Sequence, residues 1–422
     1  RMSRKYFAVL ASVLALGGLL SPLHAADGYC HGVPGVVLNV GKSGGTYDFT
    51  DIQPAVNNAL AASPLGSNWC ISIDSSTYSE QVTVQNIAFT YSSNTLTIQS
   101  DPGLVSTRAA VNPPNAAAAG FLIMNSSVNI FAVSIISTNS VPYAIWASSA
   151  FVNISSVNVD AGGNITQAGV RINSESLISY SSVTVGDAYG CWLEGSSNTI
   201  LSSYVQGSTA AFITGSTGTV IGGSALVASG AAGSALTLTG GSVNMTLYSS
   251  SLRGGASGSG LRLDAGSSGV VFIGSVTVTG AARGLEISTQ AAAFSLVVDS
   301  ITFRGLSAGA TAIHFLGGTF VSTFTLADFE DSAIGANVSG AALDLASRIT
   351  MKANRGPRRA PSFENDPNAL IDWSDMPPPG APSLSAVFQS SIAVAYAAVP
   401  GEGYIVEAST SVSFTGTMTS ST

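Results

Sequence analysis

The chain has 422 residues, a net charge of −8 from 15 Lys and Arg against 23 Asp and Glu, and 45% apolar residues with only 9% charged. That apolar content excludes a disordered chain. The absence of a Gly-X-Y period excludes collagen, and scarce basic residues without a basic stripe exclude a nucleic-acid binder. Plentiful Gly, Ser, Thr and Val instead point to an all-β chain of short strands and small turns.

Residues 1–26 read as a cleaved export signal: a basic start at Met2-Ser-Arg-Lys5, a 13-residue apolar run from Ala8 to Leu20, and the small-residue stretch Ala25-Ala26. The run is too short to span a bilayer, which takes about 20 residues. The expected location is therefore secreted or at the cell surface, with membrane contact only through export or anchoring. In that oxidising setting Cys30 and Cys70 are a candidate disulfide. No Cys or His spacing suggests zinc. Arg1 ahead of Met2 reads as translated sequence before the true start.

Residues 27–115 form an N-terminal unit of cap and first coils. Ile52, Val56, Ala59 and Leu60 fall on one face of a helix. Thr50 or Asp51 is placed to cap its start, and Pro54 lies in its first turn. Strands follow at Cys70-Ile-Ser-Ile73, Tyr78–Val84 and Leu96-Thr-Ile-Gln99.

Residues 116–350 are a repeat. A small residue followed by apolar-x-apolar recurs at Gly120, Ala144, Gly169, Gly190, Ala211, Ala235, Gly260, Gly284, Ala312 and Ala342, at intervals of 21–30 residues. A second series lies between, with Ser156-Val-Asn-Val, Ser182-Val-Thr-Val and Ser275-Val-Thr-Val as examples. Such a unit buries its apolar face only by stacking on neighbours. The period predicts a right-handed parallel β-helix of about ten or more coils. Leucine-rich repeats lack support because their leucine/asparagine signature is missing. A membrane barrel would need longer hairpin strands and aromatic girdles. Cys191, at an inward position, reads as a buried free thiol.

The opening residues Gly44-Gly45 before Tyr47, Ile52 with Ala55-Val56, Ile71-Ser-Ile73 and Tyr78-x-Glu80-x-Val82 resemble the start of pectin methylesterases and other pectin-lyase-like β-helix proteins. The resemblance covers roughly residues 36–345 at fold level. It implies that the short helix caps the open end of the core, and that the substrate groove lies on the face bearing the outward residue of the repeat motif. The catalytic motifs are missing. No Gln-Asp-Thr, Asp-Phe-Ile-Phe-Gly or Gly-Arg-Pro-Trp segment of a pectin methylesterase is present, and no polygalacturonase Gly-His-Gly. Arg355-Gly-Pro-Arg-Arg-Ala360 approaches a lyase motif but ends in alanine and lies past the repeats.

The expected outward ladder runs Leu122, Trp146, Arg171, Trp192, Ile213, Thr237, Arg262, Glu286, His314, Asp344. Trp146, Arg171 and Trp192 would sit on successive coils about 4.8 Å apart, forming an aromatic platform for sugar rings with a cation between the indoles. Arg262, Glu286, His314 and Asp344 are the candidate catalytic set. Glu286 and Asp344 would stand two coils apart, about 9.5 Å, at the upper edge for inverting glycosidase carboxyl pairs, with His314 between them as acid or base. Alternating charges on a ladder are equally good cross-strand pairs. No metal or other cofactor is implied, and nothing specifies a calcium site. A third idea, an ice-binding face, fails because Asn158, Thr184, Val205, Leu226, Arg253, Thr277 and Thr302 are too mixed.

Residues 351–382 read as a Pro-rich linker, and 383–422 as a partial fibronectin type III-like sandwich module, since such a sandwich needs roughly 100 residues. The expected whole is a piece of a larger modular surface protein. Its first functional reading is a non-enzymatic carbohydrate-binding, adhesive or structural β-helix whose partner is a polysaccharide, a cell-surface glycan or another surface protein. Its second is a polysaccharide-active enzyme, a divergent lyase or glycoside hydrolase.

Overall fold

A computed structural model describes residues 35–42, 46–101, 107–195, 197–241, 243–264, 266–288, 294–316, 321–325, 327–328, 334–338, 348–352, 370–374, 383–388, 391–395, 406–409 and 418–421. The export signal, Cys30 and Asp344 lie outside them. The chain is an all-β parallel solenoid of about nine turns. Three sheets form its walls. Sheet A has 14 strands, from Gly35–Val40 to Leu370–Ser374; sheet B has 11, from Val82–Gln85 to Ile334–Val338; sheet C has 11, from Thr77–Tyr78 to Ala327–Asp328. Each turn passes through B, A and C in order, and successive turns pair in parallel.

The interior is one continuous apolar cluster running from Val40 to Ala327. Period-two alternation supplies it: in Ser182–Val185 the two valines are buried and Ser182 and Thr184 face out. No single turn can enclose such a cluster, so each relies on its neighbours. Cys191 is wholly buried within it as a free thiol, and burial pushes its pKa up to about 12. Cys70 is disulfide-bonded.

One corner has regular chemistry. Between sheets A and C several turns bend through a residue in the left-handed region, including Ala132, Ser156, Tyr180, Ser202, Ser249 and Ser275, with φ from 47° to 55°. The next residue points inward. At four consecutive turns that residue is Ser181, Ser203, Ser224 or Ser250, and each hydroxyl donates to the carbonyl two residues earlier, at 2.7–2.9 Å.

The helix Ile52–Ala61, α1, packs Ile52, Ala55, Val56 and Ala59 into the core. Leu60, expected on that face, is exposed, because it falls at the edge of a face completed by Ala55. Neither Thr50 nor Asp51 caps α1 through its side chain; the Asp51 backbone is extended and its carboxylate makes no capping bond. Glu80 caps it instead. Its two carboxylate oxygens accept the N–H groups of Ile52 at 2.7 Å and Gln53 at 2.9 Å.

The solenoid extends into the stretch read as linker, where Leu370–Ser374 pairs in parallel with Arg348–Lys352. Beyond it lie two antiparallel pairs, Ser383–Phe388 with Ser391–Ala395 and Val406–Ser409 with Met418–Ser421. Among the described residues no helix is long and apolar enough to cross a membrane.

Candidate functional site

Sheet B carries the repeat motif, and its strands align Leu122, Trp146, Arg171, Trp192, Phe212, Thr237, Arg262, Glu286, His314 and Asn337 in register. Two expected members change. Ile213 is inward and fully buried, and Phe212 takes its place, because the inward residue of that turn is Ala211. Asp344 lies outside the described residues, and Asn337 holds the position after His314. Gly335-Ala336-Asn337-Val338 is the segment in register with the His314 strand, and its small Ala336 gives a weak apolar signal.

The platform residues come together and gain partners that the alternation rule hides. Tyr143 and Tyr189 stand three residues before Trp146 and Trp192. Strict alternation would put each pair on opposite faces. The strand instead turns two consecutive residues inward at the motif start, Ala144 with Ile145 and Gly190 with Cys191, all fully buried or nearly so. Tyrosine and tryptophan then share the outer side, where they pack with Ala119, Ala168 and Leu122 into a second apolar cluster separate from the core. The repeated Tyr-small-apolar-Trp in Tyr143–Trp146 and Tyr189–Trp192 was the available signal.

The geometry is aromatic throughout. Tyr143 and Trp146 ring centroids are 5.2 Å apart, Tyr189 stacks on Phe212 at 4.8 Å, and Trp192 meets both Tyr189 and Phe212 edge-on at 5.6 and 6.0 Å. The Arg171 guanidinium lies between the indoles, 4.3 Å from the Trp192 ring and 5.8 Å from the Trp146 ring. Both indoles are half-buried, so adjacent turns neither cover them nor leave them free.

Arg171 is already engaged. It donates to the Tyr143 hydroxyl at 2.6 Å and to Glu194 at 3.2 Å. Burial works to lower its pKa, and those two acceptors outweigh burial and raise it. Tyr143 donates in turn to Gln167. Beside Trp192 opens a cleft of about 540 Å³, bounded by Tyr189, Thr166, Gln167, Asp187, Ser208, Thr209 and Gly233 among others. Asp187 is exposed, and its carboxylate has no hydrogen-bond or ion-pair partner among the described residues.

The charged stretch behaves differently. Arg262, Glu286 and His314 do occupy adjacent positions. Arg262, however, pairs with Asp264 at 2.6 Å. Glu286 is 7% exposed and accepts from Ser259 at 2.5 Å and Arg283 at 3.3 Å. His314 is buried, and burial, aided by the Arg283 charge, lowers its pKa against the opposing pull of Glu286. Among the described residues no three His, Cys, Asp or Glu side chains gather to hold a metal ion.

Comparison with protein-family models, with curated proteins and with solved structures finds no significant match.

Proposed function

We propose that this chain is an exported, non-enzymatic β-helix that binds carbohydrate on its aromatic face. The observation that carries the reading is the gathering of Tyr143, Trp146, Tyr189, Trp192 and Phe212 on one outer wall, beside a cleft edged with hydroxyl, amide and carboxylate groups. Pyranose rings present apolar C–H faces to aromatic rings and hydroxyls to such polar edges. The engaged state of Arg262 and Glu286 favours binding over turnover, since both charges are spent on neighbours.

The same proposal reads the solenoid as right-handed and pectin-lyase-like, with α1 as its cap and the C-terminal strand pairs as part of a fibronectin type III-like module. The aromatic wall would then be the recognition surface and the rod its rigid support.

Trp146→Ala and Trp192→Ala should each weaken binding to a cognate glycan about tenfold, the factor matching a loss of ~1.4 kcal/mol, while far-UV circular dichroism stays unchanged. Glycan incubated with the protein should keep its length in size-exclusion chromatography. Shortened glycan, with the activity abolished by Glu286→Gln, would transfer the function to the charged ladder and make the chain an enzyme.

A further inference from the structure

The carbohydrate reading leaves the chemistry of the glycan open, and the cleft beside Trp192 narrows it. We propose that this cleft selects uncharged glycan chains and rejects uronate polymers. The inference rests on the carbohydrate-binding reading and adds the ligand class.

The argument is one of charge within the site. A uronate chain carries a carboxylate on every sugar and is favoured by a cation whose charge is not already paired. The cation in the aromatic wall is Arg171, and its terminal nitrogens already serve Tyr143 and Glu194. Its guanidinium also lies against the Trp192 ring at 4.3 Å, which closes one of its faces. None of the residues lining the cleft is basic. The charge that does line it is Asp187, exposed and unpaired among the described residues.

A sugar carboxylate in the cleft would therefore face a like charge with no cation to compensate it. At about 5 Å that repulsion weakens binding by about tenfold or more, depending on how much water remains between the groups. The net charge of −8 acts in the same direction at longer range. A neutral sugar meets the opposite situation. Its hydroxyls donate to the Asp187 carboxylate and exchange hydrogen bonds with Gln167, Ser208 and Thr209, while its ring stacks on Tyr189 and Trp192.

Matched ligands test this on the full chain. Hexasaccharides of β-1,4-glucan, β-1,4-mannan and β-1,4-galactan are each compared with the same oligosaccharide after oxidation of its C6 hydroxymethyl groups to carboxylates. Binding is followed by intrinsic tryptophan fluorescence at low and high salt. The expected result is that at least one neutral chain binds and its oxidised form binds at least tenfold more weakly, with the gap shrinking as salt screens the exposed charge. Asp187→Asn, an exposed change that leaves the circular dichroism spectrum intact, should reduce the gap to threefold or less. Equal or tighter binding of an oxidised chain overturns the inference and leaves the carbohydrate reading standing. A gap unaltered by Asp187→Asn overturns it as well. Binding of none of the six chains removes both the inference and the reading beneath it.

Discussion

Inside the corner between sheets A and C, each serine of the ladder works in two directions. The Ser203 hydroxyl donates to the Leu201 carbonyl and accepts from the Ser181 N–H one turn earlier, at 3.1 Å. Ser181, Ser224 and Ser250 repeat the pattern, receiving the N–H groups of Val157, Ser203 and Ser224. The ladder satisfies backbone groups that the bend leaves without sheet partners. Ser203→Ala strands the Ser181 N–H and should destabilise the fold by about 1–3 kcal/mol in urea unfolding. His314 makes a second residue-scale prediction. Its folded pKa lies below the ordinary histidine value of about 6.5, so the unfolded chain binds the proton more readily. The associated stability is fully present above pH 6.5 and declines as pH falls through the folded pKa. Urea midpoints at pH 7.5 and 5.5 should therefore drop less for His314→Gln than for the unaltered chain. An equal drop would place the acid sensitivity elsewhere.

At the scale of elements, the glycine opening the repeat motif at Gly120, Gly169, Gly190, Gly260 and Gly284 has a packing origin. It is the first of two inward residues, and its Cα rests against the next turn. A Cβ on Gly284 would stand 2.4 Å from the Ala312 carbonyl oxygen and 2.3 Å from the Phe303 ring. Backbone and a buried ring have no room to withdraw in a close-packed interior. Gly284→Val should cost about 1–3 kcal/mol by overpacking. Gly163→Ala, with nothing within 4 Å of its Cβ, should leave the urea midpoint nearly unchanged. The helix α1 shows the same dependence on remote chain. Its N-terminal donors are met by Glu80, whose pKa burial raises despite the two backbone hydrogen bonds that lower it. Tyr78, two residues before, is fully buried with its hydroxyl on Asp74 at 2.6 Å. The Tyr78-x-Glu80-x-Val82 segment thus holds the helix, a loop carboxylate and the core together.

For the molecule as a whole, contacts between successive turns dominate, as expected of a one-dimensional stack. Length should then be adjustable in whole turns. Leu236 is in register with Leu261, so deleting residues 236–260 joins Ala235 to Leu261 and restores both faces. That variant should remain soluble and keep its β-type circular dichroism per residue. Deleting only residues 236–247 splices a sheet B strand onto a sheet A position and should aggregate or unfold. If the two deletions behaved alike, the turn would not be the cooperative unit.

The repeat was legible because alternation and small-residue punctuation are local properties, written into every coil. Composition and spacing alone determined an all-β stacked architecture, the inward position of Cys191 and the alignment of Trp146, Arg171 and Trp192. Tertiary structure decided what local pattern cannot encode. The frame at Phe212 depended on which of two adjacent alanines, Ala210 or Ala211, forms the cross-turn pair. The entry of Tyr143 and Tyr189 into the site depended on a local break in alternation that is set by contact with the next turn. The state of Arg171 and Glu286 depended on partners 3 to 28 residues away, brought near by stacking. A sequence specifies which side chains each turn offers; only the stacked turns determine which of them are already spoken for and which, like Asp187, still face solvent.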